Sequence, residues 1–421
     1  MDQASQEPDV LRFPPGFLWG AATSAHQTEG QNRNTDWWVS EEAGLVPHPS
    51  GNACGSWERW PEDIRLAQQL GLNAYRLSVE WARIEPRPGE FDPHALEHYR
   101  ALVRAVRDAG LEPIVTLHHF TNPCWLSAGG GWVRPRVIER FAAYTDVVAR
   151  HLGDLVRWWV TINEPTVCAL FGYVDGAWPP HRRNDFLGFL RHGRHMLRAH
   201  AAARQVLKQR RPEAMVSMAF HLNPIDPVRY GDPTDHLAVW LYDWLWQGRV
   251  LRAARPHLDW VGVNYYFRVL VRWDVLPWRF FDPPTMGPHQ KTEYGWEIYP
   301  KGLYRVLKRV GRLGKPVIVT ENGIADADDD QRARYLVAHL RQAHRALREG
   351  VDLRGYIHWS LLDNFEWAEG FTRRFGLVEV DFETLQRRPR PSAFVFREIA
   401  RANSLQLDAL RTRLTRGARV A

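Results

Sequence analysis

The chain has 421 residues, 45% of them hydrophobic and 24% charged, with a net charge of +7. This balance excludes an intrinsically disordered chain, and no apolar run reaches the ~18 residues of a membrane span. Arg residues lie among Glu and Asp along helix-like segments, and only residues 411–419 are locally basic, so the charge reads as a solvated surface and predicts neither a nucleic-acid nor a membrane partner.

Residues 1–10 read as a disordered lead, polar and acidic, unlike a signal peptide. Then apolar runs and helix-like stretches alternate. The runs are 17–22, 74–79, 113–118, 158–162, 214–220, 260–264, 316–320 and 355–360. The helical patterns between them cover 60–70, 96–109, 137–152, 189–208, 237–246, 302–310 and 331–348. In the stretch 137–152, Phe141, Tyr144, Val148 and Leu152 recur at the 3.6-residue period. Near-continuous apolar strands belong to parallel sheets buried on both faces. Eight β/α units predict the α/β class and a single (β/α)8 TIM barrel over residues 11–402, followed by a basic tail over 403–421. A doubly wound sheet is the rival, but it brings a Gly-rich phosphate turn after its first strand, and Gly20-Ala21-Ala22-Thr23 is not that turn.

Two loops are long. Residues 23–59 carry Gln27, Glu29, Asp36, Trp37 and Trp38, and residues 268–300 carry Trp273, Trp278 and Trp296. Twenty Trp are many for this length. Trp suits half-apolar, half-hydrogen-bonding partners, and sugars present such surfaces. Cys54, Cys124 and Cys168 are too few, and odd in number, for a disulfide framework, which points to a reducing, cytoplasmic setting.

The fourth strand ends in Thr161-Ile162-Asn163-Glu164-Pro165 and the seventh in Thr320-Glu321-Asn322-Gly323. A carboxylate at the end of a buried strand is costly without a partner or a task. Alone, Asn-Glu-Pro is an ordinary helix start and Glu-Asn-Gly an ordinary turn. Together, at strand ends across the mouth of one barrel, they suit glycoside cleavage, which needs one carboxyl to protonate the leaving oxygen and another to attack or to activate water. Arg76, near the end of the second strand, is expected to keep Glu321 ionised. Asn163 can hold a sugar hydroxyl beside the reacting carbon. His118-His119 and His192, His195 and His200 lack the matching carboxylate of a metal site. The acidic run 326–330 lacks the spacing of a calcium loop and reads as a solvated loop whose Asp residues cap the next helix.

These motifs resemble glycoside hydrolase family 1, the retaining β-glucosidases and their relatives. Further stretches agree, among them Tyr75-Arg76-Leu77-Ser78-Val79-Glu80-Trp81, Asn264-Tyr265-Tyr266, Gly295-Trp296-Glu297-Ile298-Tyr299-Pro300 and Trp359 to Trp367. The resemblance spans about residues 11–400. It implies a TIM barrel with Glu164 as acid/base and Glu321 as nucleophile. It implies that Gln27, His119, Asn163, Glu366 and Trp367 hold the sugar, with Trp359 as its stacking floor. Tyr266 would bond Glu321, Asn264 would support the acid, Trp296 would line the aglycone side, and Phe375 would join the substrate-binding set. No cofactor and no metal is implied. The implied substrate is a small β-glycoside or oligosaccharide, the enzyme being a monomer or a homo-oligomer. Hydrolysis of β-D-glucosides is expected first, with β-D-fucosides and β-D-galactosides beside them. The alternatives are a transglycosylating enzyme with a similar site and a non-catalytic sugar-binding barrel. Three departures from the family stand out: Phe120 replaces a Trp near the sugar's C6 end, His26 stands where Tyr is common, and the segment 223–259 is short. Glu366-Trp367 argues against a 6-phospho-sugar, because a carboxylate there repels phosphate.

Overall fold

The computed structural model describes residues 9–275, 287 and 289–408. Trp278, the first eight residues of the expected lead and residues 409–421 of the expected tail lie outside the described residues. Eight strands close into a barrel: β1 (Leu18–Ala22), β2 (Ala74–Ser78), β3 (Glu112–His118), β4 (Trp158–Asn163), β5 (Met215–His221), β6 (Val261–Asn264), β7 (Val317–Asn322) and β8 (Leu353–Trp359). Each pairs in parallel with its sequence neighbours, and β8 returns to β1. Strand ends lie within two residues of the sequence reading, because both faces of each strand are buried and the apolar run is the strand.

Around the barrel run the long helices α1 (Ser56–Gln69), α2 (Pro93–Asp108), α3 (Val137–Leu152), α4 (Phe186–Arg210), α5 (Pro233–Asp243), α6 (Pro300–Gly311), α7 (Arg332–Arg348) and α8 (Pro391–Ala402). The buried face of α3 includes Phe141, Tyr144, Val148 and Leu152, the stripe expected from its period. Asp92 and Asp185 cap α2 and α4 through side-chain oxygens. The helix expected over 237–246 begins earlier and runs on. Asp232 caps it, Pro233 opens it, and it continues through a wider turn, Trp244–Gly248, into Arg249–Ala254.

Two local expectations change. Asp326 is not solvated: it is buried, and it accepts from the backbone N–H groups of Gln331 and Arg332 at the start of α7. The domain limits at residues 10 and 402 also fall beside paired structure. Val10–Arg12 runs antiparallel to Ser404–Gln406, tying the two ends of the barrel chain together. That pairing joins residues nearly 400 apart in sequence and leaves no local periodicity to read.

The strands' C-terminal ends form the mouth, and one glycine sets its spacing beside Glu321. A Cβ on Gly323 would lie 1.7 Å from the carbonyl oxygen of Trp359. Backbone cannot yield as a flexible side chain does, so Gly323→Ala is expected to destabilise the fold by roughly 1–3 kcal/mol or more. Thermal unfolding, read beside activity, checks this: both should fall.

Candidate active site

Arg76 is 1% exposed and reaches four acceptors across the barrel mouth. Nη1 donates to Glu321 Oε1 and to the Thr320 carbonyl, Nη2 to Asn163 Oδ1 at 2.7 Å, and Nε to Thr116 Oγ1 at 3.3 Å. One guanidinium on β2 thereby links the ends of β3, β4 and β7. Tyr266 Oη donates to the other oxygen of Glu321 at 2.6 Å. Glu321 thus receives a donor on each oxygen.

Glu164 sits where β4 turns into the short helix Pro165–Leu170. Its backbone is left-handed, φ 43°, a costly conformation for a residue with a side chain. Its own N–H is fixed to the Ala219 carbonyl at 2.8 Å. Asn264 Nδ2 donates to Glu164 Oε1 at 2.6 Å, and Thr320 Oγ1 donates to Asn264 Oδ1 at 2.6 Å, which sets the direction of that amide. Phe120 and Trp367 are also left-handed, φ 74° and 53°. Backbone strain gathers at this mouth, as it does at functional sites.

The mouth encloses a cavity of about 390 Å³. Of the residues singled out from sequence, His119, Glu164, Tyr266, Trp296, Glu321, Trp359, Glu366, Trp367 and Phe375 line it. Gln27, Asn163, Asn264 and Arg76 stand behind this lining. Gln27 Nε2 donates to Glu366 Oε2 at 3.3 Å, and Asn163 Nδ2 lies 3.4 Å from His119 Nε2. The His119 ring lies nearly parallel to the Trp359 and Trp367 rings, with centroids 5.8 and 6.2 Å away. Phe120 meets Trp367 edge-on at 5.2 Å and Trp178 in a tilted contact at 4.9 Å. His26 lies 3.0 Å from Glu41 and stacks on Trp367. Opposite, Trp296 stacks on Tyr294 at 4.1 Å and leans on Phe267 and Tyr266.

Sequence reasoning missed several wall residues, namely Phe171, Trp178, Phe267 and Tyr294. It also missed His221, whose Nδ1 lies 3.4 Å from Glu164 Oε1. A polar residue ending a barrel strand was the signal that could have found it. His195 and His200, considered as metal ligands, instead reach the Trp132 carbonyl, the Thr161 hydroxyl and the His257 carbonyl.

Burial pushes the Glu321 carboxyl above its ordinary range. Arg76 and the Tyr266 hydroxyl oppose the shift and the charge of Glu164 adds to it. The expected ion pair with Arg76 is present, but desolvation outweighs it. Glu366 is also pushed up, from 4.5 to about 8, by burial and by the nearby Glu321, Glu164 and Glu369, with Gln27 opposing. It keeps some exposure to the cleft, yet protein surrounds it. His119 is held well below its ordinary value by burial, with Arg76 adding to the effect, which favours the neutral imidazole.

An eight-stranded β/α barrel holding two partnered carboxylates and an aromatic cleft defines a glycoside-cleaving class of site. The comparisons narrow the class. The family model for Glycosyl hydrolase family 1 matches residues 10–248 and 247–405. Beta-glucosidase A of Thermotoga maritima is 34% identical, over 94% of this chain and 100% of that one. A beta-galactosidase of Sulfolobus acidocaldarius is also 34% identical, over 94% and 96%. The solved beta-glycosidase from Pyrococcus horikoshii superposes with a TM-score of 0.90 at 39% identity, covering 96% of this chain and 98% of that one. The chain belongs to glycosyl hydrolase family 1, and it is a glycoside hydrolase.

Glu366 carries a pH consequence. Its folded pKa lies above its unfolded value, so the folded state holds the proton more tightly. The resulting stability is full below about 4.5 and is lost as pH rises toward about 8. Glu366→Gln should flatten the fall in unfolding free energy across that window, measured by denaturant titration at a series of pH values. An unchanged slope would place the shift elsewhere.

Proposed function

We propose that this protein is a retaining β-glycosidase, acting chiefly as a β-glucosidase that releases terminal non-reducing β-D-glucosyl residues, with β-D-fucosides and β-D-galactosides as further substrates. The observation that carries the reading is the unlike pair of carboxylates. Glu321 has a cation on one oxygen and a hydroxyl donor on the other, a setting for an anionic nucleophile. Glu164 has neutral amide support and no Lys or Arg partner among the described residues, a setting for a proton carrier.

The reaction runs in two displacements. Glu321 attacks the anomeric carbon while the Glu164 proton passes to the glycosidic oxygen, and the aglycone leaves as an alcohol. Glu164, now a carboxylate, takes a proton from water; the water oxygen attacks the same carbon, and Glu321 departs as a carboxylate. Configuration inverts twice and is therefore retained. Asn163, His119, Gln27 and Glu366 offer hydrogen bonds to sugar hydroxyls, and Trp359 and Trp367 offer apolar faces to the ring. Trp296 and Phe375, on the other wall, face the aglycone. The names of the glucosidase and galactosidase relatives support the substrate class. We also read the protein as cytoplasmic and as acting on small cellulose-derived glucosides. Its three cysteines are unpaired, which agrees with a reducing compartment.

Replacing Glu321 by Gly should lower hydrolysis of an aryl β-glucoside by at least ~10³-fold, about 4 kcal/mol of barrier. Turnover near wild type would sink the assignment. For Glu164→Ala, the loss should be ~10²–10⁴-fold on poor leaving groups and small on activated ones. Added azide should restore the second step and yield the β-glycosyl azide; an α-azide, or no azide product, would contradict the acid/base role.

A further inference from the structure

His221 ends β5 and sits in register with Asn264 on β6. Its ring lines the cleft. It lies against Tyr266, with centroids 5.9 Å apart and planes 20° apart, and against Phe267 at 5.6 Å, so its orientation is held by packing. Nδ1 is buried and has no hydrogen-bond partner. Glu164 Oε1, the same oxygen that accepts from Asn264 Nδ2 at 2.6 Å, lies 3.4 Å from it.

We propose that His221 is a positioning residue for Glu164: with its proton on Nδ1, the imidazole joins the Asn264 amide in holding Oε1, so that the proton Glu164 transfers resides on Oε2. The inference rests on the reading of Glu164 as acid/base and deepens it. A carboxyl group has two oxygens and one proton. An oxygen that already accepts two N–H donors is a poor place for that proton, because the hydroxyl hydrogen would meet donors instead of acceptors. Oε2 then carries it toward the leaving oxygen. Once the proton has gone, the same two donors stabilise the carboxylate that must activate water. No proton is created or consumed by His221; it selects which oxygen bears the one already counted. A separation of 3.4 Å is long for a hydrogen bond, and catalytic contacts of this kind tighten in the substrate complex. An unpaired buried nitrogen is itself unfavourable, which favours that tightening.

The simpler role for His221 is packing against Tyr266, and substitutions separate the two. His221→Phe keeps an aromatic ring and removes the N–H. His221→Asn places an amide N–H where Nδ1 stood. Each variant of the whole enzyme, with Glu164→Ala beside them, is assayed for kcat/KM on an alkyl β-glucoside, which needs a proton to leave, and on 2,4-dinitrophenyl β-glucoside, which does not. His221→Phe should lose about ten-fold on the alkyl glucoside and under about two-fold on the activated one, and His221→Asn should recover most of the loss. Equal losses on both substrates, no loss on the alkyl glucoside, or Asn no better than Phe overturns the proposal. If Glu164→Ala keeps its alkyl-glucoside activity, the acid/base reading of Glu164 fails first. If that variant is crippled on the alkyl glucoside while His221→Phe matches wild type, only the role of His221 falls. Should His221→Phe fail to fold, Asn against Gln makes the same comparison, since Gln carries its N–H at the place of Nε2; equal activity of these two also overturns it.

Discussion

A guanidinium buried to 1% exposure must be compensated almost completely, because an unpaired charge in that position would be prohibitively costly. Arg76 meets this constraint with a carboxylate, a carbonyl, an amide oxygen and a hydroxyl drawn from three other strands. Each acceptor fixes one strand end against β2. Asn163 is held this way, and Asn163 Oδ1 also accepts from Asn264, whose amide supports Glu164. The two carboxylates are therefore not independent. They share one network of hydrogen bonds across the barrel mouth, so a shift at Arg76 would reach both.

That network concentrates cost as well as order. Glu164, Phe120 and Trp367 hold left-handed backbones, and three carboxyl groups, Glu164, Glu321 and Glu366, repel one another in one cleft. Strain and repulsion of this kind persist only where surrounding structure over-determines them. Here the barrel does so through packing: Trp159, Val160, Ile318 and Ile357 are fully buried beneath the mouth. One wall of the cleft is built around Trp296, which meets the Tyr294 and Phe267 rings, and such apolar enclosure lowers the local dielectric around the carboxylates. Charge developing there is less screened than in water.

Two of the departures from the family pattern expected from the sequence meet at one ring. Phe120 and His26 both touch Trp367, one by an edge and one by a face. The Trp367 indole is thus set by these two neighbours, and His26 brings the Glu41 carboxylate with it.

Much of the molecule was legible locally. A strand buried on both faces must be an apolar run, so eight such runs declared the barrel. Strand-end Glu164 and Glu321 were legible because a carboxylate there violates that rule. The helix α3 showed its buried stripe in its own periodicity. What the sequence could not determine were contacts between residues far apart in the chain. The pairing of Val10–Arg12 with Ser404–Gln406, the burial of Asp326 and the approach of His221 to Glu164 depend on closure of the barrel. The balance of charge was decided at the same level. Arg76 and Glu321 could be matched as opposite charges from their strand positions, but the net direction of the Glu321 shift depends on how much water the assembled cleft excludes, and desolvation grows with enclosure by the whole fold.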